Sequence, residues 1–235
     1  MVGKQSSKVS ADLKRNRLYI TFSSTAKKKD LEKVYTDIRF CVADLKPGFD
    51  VITDLTRCTI GHLGGISTLR KIMAFLVVNK VGRVVRIVGE MSLVLKQLLG
   101  ITAKFQGYKP RYVTTSEEAE EELSRSSQRD GLRFLINQRP IEYSTPKEEG
   151  KGDLVDISIS GCSVQKSTLA LSVNEELSMA IPLYQDSDTL TVFTMAAKVI
   201  RVEGNLFAVQ FLDLDDNRKT LLYKFLTNEI QRDIG

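Results

Sequence analysis

Two short motifs in this chain combine residue types that could recognise a charged nucleotide. The first is Arg129-Asp-Gly-Leu-Arg133, two arginines four positions apart. The second, Asp156-Ile-Ser158-Ile-Ser-Gly161, holds a carboxylate, a hydroxyl and a glycine close together. Guanidinium groups bind phosphates through paired hydrogen bonds and stack on planar bases. A carboxylate can accept both N–H donors of a guanine Watson–Crick edge, and a serine hydroxyl can bond beside it. In an ideal strand Asp156 and Ser158 point to the same face. Glycine at 161 allows a close backbone approach. Together these residues could take a guanine nucleotide that carries negative charge.

Other chemistries find less support. The 235 residues include one histidine, His62, which leaves no pair for a metal site or a two-histidine relay. No nucleophile is tied to His62 by spacing, so it reads as a structural or exposed residue. The segment Gly61–Gly65 precedes a helical pattern but lacks the Gly-Lys-Ser/Thr ending of a phosphate loop, and reads as a tight turn. Cys41, Cys58 and Cys162 are too far apart for a metal knuckle or a disulfide framework. They read as packing residues in a reducing cytoplasm. Glu117–Glu122 reads as the solvated face of a helix. No catalytic constellation emerges, and the expectation is that the chain is not an enzyme.

The elements that must position the motifs fall into two groups. In the first half, helical and strand-like patterns alternate. Leu18–Phe22 reads as a strand, Lys27–Leu45 as an amphipathic helix and Phe49–Leu55 as a buried strand. A second helix carries Ile66, Leu69, Ile72, Met73 and Leu76. A β-branched run follows at Val84–Val88, then a helix at Met91–Leu99 and a short strand at Tyr112–Thr115. Ser116 is expected to cap an acidic helix over Glu117–Leu123. This order predicts a small α/β layer with a largely parallel sheet. After Arg133 the pattern becomes short strands separated by turn signals: 134–143, 154–158, 162–166, 177–183, 190–202 and 206–212. Glu203-Gly204-Asn205 marks a hairpin. A helix from about Asp215 to Ile230 closes the chain, with Leu221, Leu222, Phe225 and Leu226 among its apolar residues. The second half is therefore expected to be an antiparallel β-barrel or sandwich.

The two motifs, in this order and 23 residues apart from Arg133 to Asp156, resemble those of the PilZ family. That family carries RxxxR before a strand and [D/N]xSxxG at a strand–turn–strand. Leu206–Leu214 looks like its last barrel strand, although Ala208 stands where many members have glycine. The resemblance covers about residues 125–235. It implies a bacterial second-messenger receptor with cyclic di-GMP as ligand and no cofactor. It also implies that Arg129 and Arg133 contact phosphate and stack on guanine, that Asp156 and Ser158 bond guanine, and that Gly161 permits the turn. Arg125-Ser-Ser-Gln-Arg129 also fits RxxxR. The second register is preferred because Arg133 runs straight into a strand, with Arg125 as an additional phosphate contact. A Ser-rich linker holds Arg125 and Arg129. A dianionic ligand would order it and change the arrangement of the two domains.

The first half looks similar to STAS domains, the anti-sigma-factor-antagonist fold. His62-Leu63-Gly64-Gly65-Ile66 stands where that family has its Asp-Ser-Ser-Gly-Leu turn, so the phosphorylatable serine is absent. This implies a protein-interaction module, with a partner-switching regulator as the alternative function. The expected layout is a flexible basic tail at 1–17, a STAS-like α/β domain at 18–123, and a linker and PilZ-like β-barrel with a terminal helix at 124–235. The net charge of +5 hides an uneven spread, with a basic first half and a slightly acidic second half. That asymmetry argues against reading the whole chain as a nucleic-acid binder. No apolar run reaches the ~18 residues of a membrane span, and a cytoplasmic protein is expected. An unidentified protein partner would use the first domain, and a homodimer is left open.

Overall fold

The computed structural model describes residues 6–23, 28–57, 66–88, 108–124, 132–186, 188–212 and 214–234. The chain divides into two compact units, residues 1–128 and 129–235. Cys58, the Gly61–Gly65 turn with His62, and the Met91–Leu99 helix lie outside the described residues, as do Arg125 and Arg129.

In the first unit, β1 (Lys8–Asp12), β2 (Arg17–Thr21), β3 (Asp50–Asp54), β4 (Val84–Ile87) and β5 (Arg111–Val113) form one sheet in that order. β2 to β5 run parallel, and β1 is antiparallel to β2. β1 falls where a flexible tail at 1–17 was expected. It pairs with β2 from Lys8↔Thr21 to Asp12↔Arg17. None of its five residues is buried. Its place is fixed by backbone hydrogen bonds, which leave no hydrophobic trace in the sequence. Every residue of β4, and all of β3 except Asp54, is buried, as expected for parallel strands covered on both faces.

Among the described residues, the helices of this unit are α1 (Lys28–Ala43), α2 (Ile66–Val78) and α3 (Ser116–Ser124). α1 buries Leu31, Val34, Ile38 and Val42, the three- and four-residue stripe read in its sequence. α3 places Ala119 and Leu123 in a cluster with Ile52, Val85 and Ile87. Its cap is Thr115, not Ser116. The Glu118 amide donates to Thr115 Oγ1 at 3.1 Å, and the Glu118 carboxylate accepts from the Thr114 amide at 2.7 Å.

The N-terminal ends of β2, β3 and β4 are held by charge. Asp50 accepts from Arg83 Nε at 3.2 Å and Nη2 at 2.8 Å, and Arg83 Nη2 also donates to the Leu123 carbonyl at 2.8 Å. Glu120 accepts from Arg17, from Arg15 Nη1 at 3.2 Å and from the Tyr19 hydroxyl at 2.8 Å. Burial opposes ionisation of Glu120. The Tyr19 hydrogen bond and the two arginines outweigh it and hold the carboxyl below its ordinary value of 4.5. A depressed folded-state value stabilises the fold above the unfolded value, and that stability is lost as pH falls through the folded one. Acidification below about pH 4.5 should therefore lower the melting temperature of wild type more steeply than that of Glu120→Gln, as followed by circular dichroism. Parallel pH profiles would refute this role.

The second unit is a closed antiparallel barrel. β6 (Phe134–Ser144), β7 (Glu149–Ile157), β8 (Gly161–Gln165), β9 (Glu176–Tyr184), β10 (Leu190–Glu203) and β11 (Leu206–Phe211) close in the order β10-β11-β8-β7-β6-β9. Alternation along the strands fills the interior. Leu177, Met179, Ile181 and Leu183 of β9 are buried, as are Phe193, Met195, Ala197 and Val199 of β10. The β10–β11 hairpin turns at Gly204, whose φ of 61° suits glycine. Asp215 caps α4 (Asp216–Ile234), accepting from the Arg218 amide at 2.7 Å. α4 buries Leu222, Phe225, Leu226 and Ile230 against the barrel, and Phe225 meets Phe193 edge-to-face at 6.0 Å. Leu221, read as part of the apolar face, points outward and is exposed. Among the described residues, no helix is long and apolar enough to cross a membrane.

Candidate ligand-binding site

Three adjacent strands bring the candidate residues together. Arg133 immediately precedes β6, and Asp156 lies near the end of β7, opposite Leu135 of β6 on one side and Ser163 of β8 on the other. The Arg133 guanidinium donates to Asp156 Oδ1 and, from the same nitrogen, reaches Ser163 Oγ at 3.4 Å. The Asp156 side chain is only 6% exposed, whereas Arg133 is 25% exposed. A carboxylate so deeply placed needs a charged or hydrogen-bonding partner, because an uncompensated buried charge is strongly destabilising. Arg133 supplies that partner and still presents part of its guanidinium to solvent.

Strand irregularities make this meeting possible. β6 and β7 pair at Phe134↔Ile157 and Leu135↔Asp156, then resume only at Arg139↔Leu154. A second register shift separates Leu154 from Asp156 in the β7–β8 pair. Such bulges re-aim side chains and are common beside functional sites. Here they let Asp156 and Ile157, consecutive residues, both be buried at the end of the strand.

Ser158 and Gly161 shape the turn beside this pair. The Ser158 amide donates to the Gly161 carbonyl at 2.8 Å, closing a hairpin over Ile159 and Ser160. The Ser158 hydroxyl donates to the same carbonyl at 3.1 Å and accepts from the Ser160 amide at 3.3 Å. Ser158 is buried, so its hydroxyl holds the turn. Gly161 is constrained by packing. Its φ is not in the left-handed region, but a Cβ there would stand 2.1 Å from the Val209 carbonyl oxygen of β11. Replacing Ser158 by alanine should cost the barrel about 1 kcal/mol for the lost turn hydrogen bonds, measured by urea denaturation. An unchanged midpoint would show that the amide contacts alone hold the turn.

Sequence reasoning missed Ser163. Its signal was nonetheless present. With a two-residue loop at Ile159-Ser160, counting outward pairs Ile157 with Cys162 and Asp156 with Ser163, as observed. Cys162, between Gly161 and Ser163, is fully buried. Burial, aided by the Asp156 charge, pushes its thiol well above the ordinary range, which leaves an inert packing residue. Cys41 is also pushed up, by burial and then by Asp37 and Asp44. No cluster of three metal-ligating side chains occurs among the described residues.

The six-stranded antiparallel barrel and its terminal helix define a small closed β-barrel domain. Residues 123–228 match the family model of the PilZ domain, and this part of the chain is a PilZ domain. Solved structures similar to the chain include the PilZ domain of CeSA from a cellulose-synthesizing bacterium. It is 15% identical, with 40% of this chain and 93% of that chain covered and a TM-score of 0.33. The Bacillus subtilis inhibitor of motility MotI/DgrA is 17% identical over 40% of this chain and 47% of its own, with a TM-score of 0.35. The Borreliella burgdorferi PlzA protein, solved in complex with c-di-GMP, is 10% identical over 47% of this chain and 45% of its own, with a TM-score of 0.32. The chain thus spans about half the length of these last two proteins. No curated protein matches the chain.

Proposed function

We propose that this protein is a receptor for cyclic di-GMP, with Arg133 and Asp156 as the centre of its site. The observation that carries the reading is the meeting of these two motif residues, 23 positions apart, at the end of a PilZ barrel. A guanidinium that keeps a quarter of its side chain exposed suits a phosphate oxygen or a guanine face. The neighbouring carboxylate suits the paired N–H donors of guanine. Ser158 and Gly161 support the site by holding the turn that carries Asp156. Arg129 and Arg125 complete the arginine motif in sequence and would add phosphate contacts.

The role is that of a sensor. Binding at the segment that joins the two units would alter their arrangement and so the access of a protein partner, with the α/β unit as the interaction module. Scattering profiles that superimpose with and without ligand would remove this part of the reading. Binding itself is tested by calorimetric titration with cyclic di-GMP, using GTP and GMP as controls. Wild type should bind cyclic di-GMP selectively. Arg133→Ala should bind about 10- to 100-fold more weakly, as expected for the loss of a charged hydrogen bond worth ~1.5–3 kcal/mol. A wild-type chain that gives no heat with cyclic di-GMP, or an Arg133→Ala variant that titrates like wild type, would refute the assignment.

A further inference from the structure

We infer that β1 is a homodimer interface, where it pairs antiparallel with β1 of a second copy and sets Lys8 of each strand opposite Asp12 of the other. β1 begins the strand order of the first unit, so one of its edges has no strand beside it among the described residues. It carries neither nucleotide motif, and none of its five residues is buried. An open edge presents unpaired N–H and C=O groups to any strand that fits it. Which groups point outward follows from β2. The Asn16 carbonyl accepts from the Asp50 amide at 3.1 Å and the Phe22 amide donates to the Asp54 carbonyl at 3.1 Å, so both face β3. Alternation then turns Arg17, Tyr19 and Thr21 toward β1, where they pair with Asp12, Ser10 and Lys8. Those three residues use their backbone groups on β2. Val9 and Ala11 are left to face the open edge.

The sequence Lys8-Val-Ser-Ala-Asp12 complements itself in one register. With Ser10 opposite Ser10 on a two-fold axis, Val9 of each strand meets Ala11 of the other, and the outward groups of both are paired. The same register forms a cross-strand pair of opposite charge, Lys8 with Asp12, on each side of the axis. Asp12 has an oxygen to offer. Its Oδ1 accepts from the Arg15 amide at 3.1 Å, and Oδ2 has only Arg15 Nε at 3.9 Å. A one-residue slip would set outward groups against inward ones. A two-residue slip would keep the hydrogen bonds but part both charge pairs. A lysine on an edge strand ordinarily deters pairing. Here Asp12 answers it, so the strand that suits this edge is its own copy.

Disulfide trapping in the full chain tests the register. The central residues form a non-hydrogen-bonded pair with Cα atoms ~4.5 Å apart, within the ~4.4–6.8 Å that a disulfide spans. Under mild oxidation Ser10→Cys should run mostly as a linked dimer on non-reducing gels. Lys8→Cys and Asp12→Cys should not link to themselves, because each lies roughly 13 Å along the strand from its own copy. Mixed together, those two variants should link to each other. Wild type, with its three native cysteines, sets the background. Sedimentation velocity tests the association itself. The average mass of wild type should rise toward twice the monomer with concentration. Lys8→Asp should weaken association about 10-fold, and adding Asp12→Lys should restore it, since the swap keeps each pair opposite in charge. A Ser10→Cys variant that links no more than wild type, or linkage that is equal at 8, 10 and 12, overturns the interface. So does a wild-type chain that sediments as a monomer at every concentration.

Discussion

Gly161→Ala is expected to destabilise the barrel by about 3 kcal/mol, near the upper end for an overpacked core site. The added methyl would stand 2.1 Å from the Val209 carbonyl oxygen, 3.2 Å from its carbon and 3.3 Å from Gln210 Cα. All three atoms belong to the backbone of β11, so no side chain can rotate away. Relief requires β8 and β11 to separate where Val209↔Cys162 and Gln210↔Gly161 pair. For a unit of this size, ~3 kcal/mol lowers the melting midpoint by roughly 12–20 °C. Differential scanning calorimetry would read this directly. The same displacement moves the Ser158–Gly161 turn and with it the end of β7, so nucleotide affinity should fall together with stability. A variant that melts with wild type would mean that β11 does not approach as closely as described. The constraint gives Gly161 a packing role in the barrel that stands apart from any ligand.

Legibility of the fold followed hydrophobic burial. β9 and β10 were readable because every second residue of each must enter the barrel, as Met179, Ile181, Phe193 and Met195 do. α1 was readable because its buried stripe repeats at helical spacing. β1 was not, because an edge strand with no buried residue is held by backbone bonds that any sequence can make. Residue types and order name Arg133 and Asp156 as candidates, and the structure brings the two side chains together. Their pairing with each other was not legible, because it depends on two register shifts that move Asp156 inward at the end of its strand. The resemblance implies that Ser158 bonds guanine, and its place on the Asp156 face assumes an extended strand. The chain turns there instead, and local hydrogen bonds claim the hydroxyl, as short polar side chains in turns tend to do.

Glu229→Gln should cost the barrel about 3 kcal/mol, the lower end for breaking a buried ion pair from one side. Glu229 of α4 accepts two hydrogen bonds from Arg139 of β6, one of them at 2.8 Å from Nη2, and a third from the Tyr184 amide of β9 at 2.9 Å. Its side chain is 9% exposed and that of Arg139 20%, so water replaces little of what is lost. Arg139 also donates to the Pro182 carbonyl at 3.1 Å and lies over the Tyr184 ring at 5.2 Å. One carboxylate therefore ties the terminal helix to two neighbouring strands. The consequence reaches the site through β6. Arg139 is the first residue to regain pairing with β7 after the irregular stretch that begins at Leu135, two positions from Arg133. Loosening Arg139 frees the register on which the placement of Arg133 beside Asp156 depends. Glu229→Gln should thus lower the urea midpoint and, under the proposed function, also weaken cyclic di-GMP binding, although Glu229 belongs to the helix and not to the two sequence motifs. Arg139→Lys, which keeps the charge but cannot form the two-pronged bond, should fall between wild type and Glu229→Gln in stability. An unchanged midpoint for both variants would show that α4 is held by Phe225, Leu226 and their apolar neighbours alone.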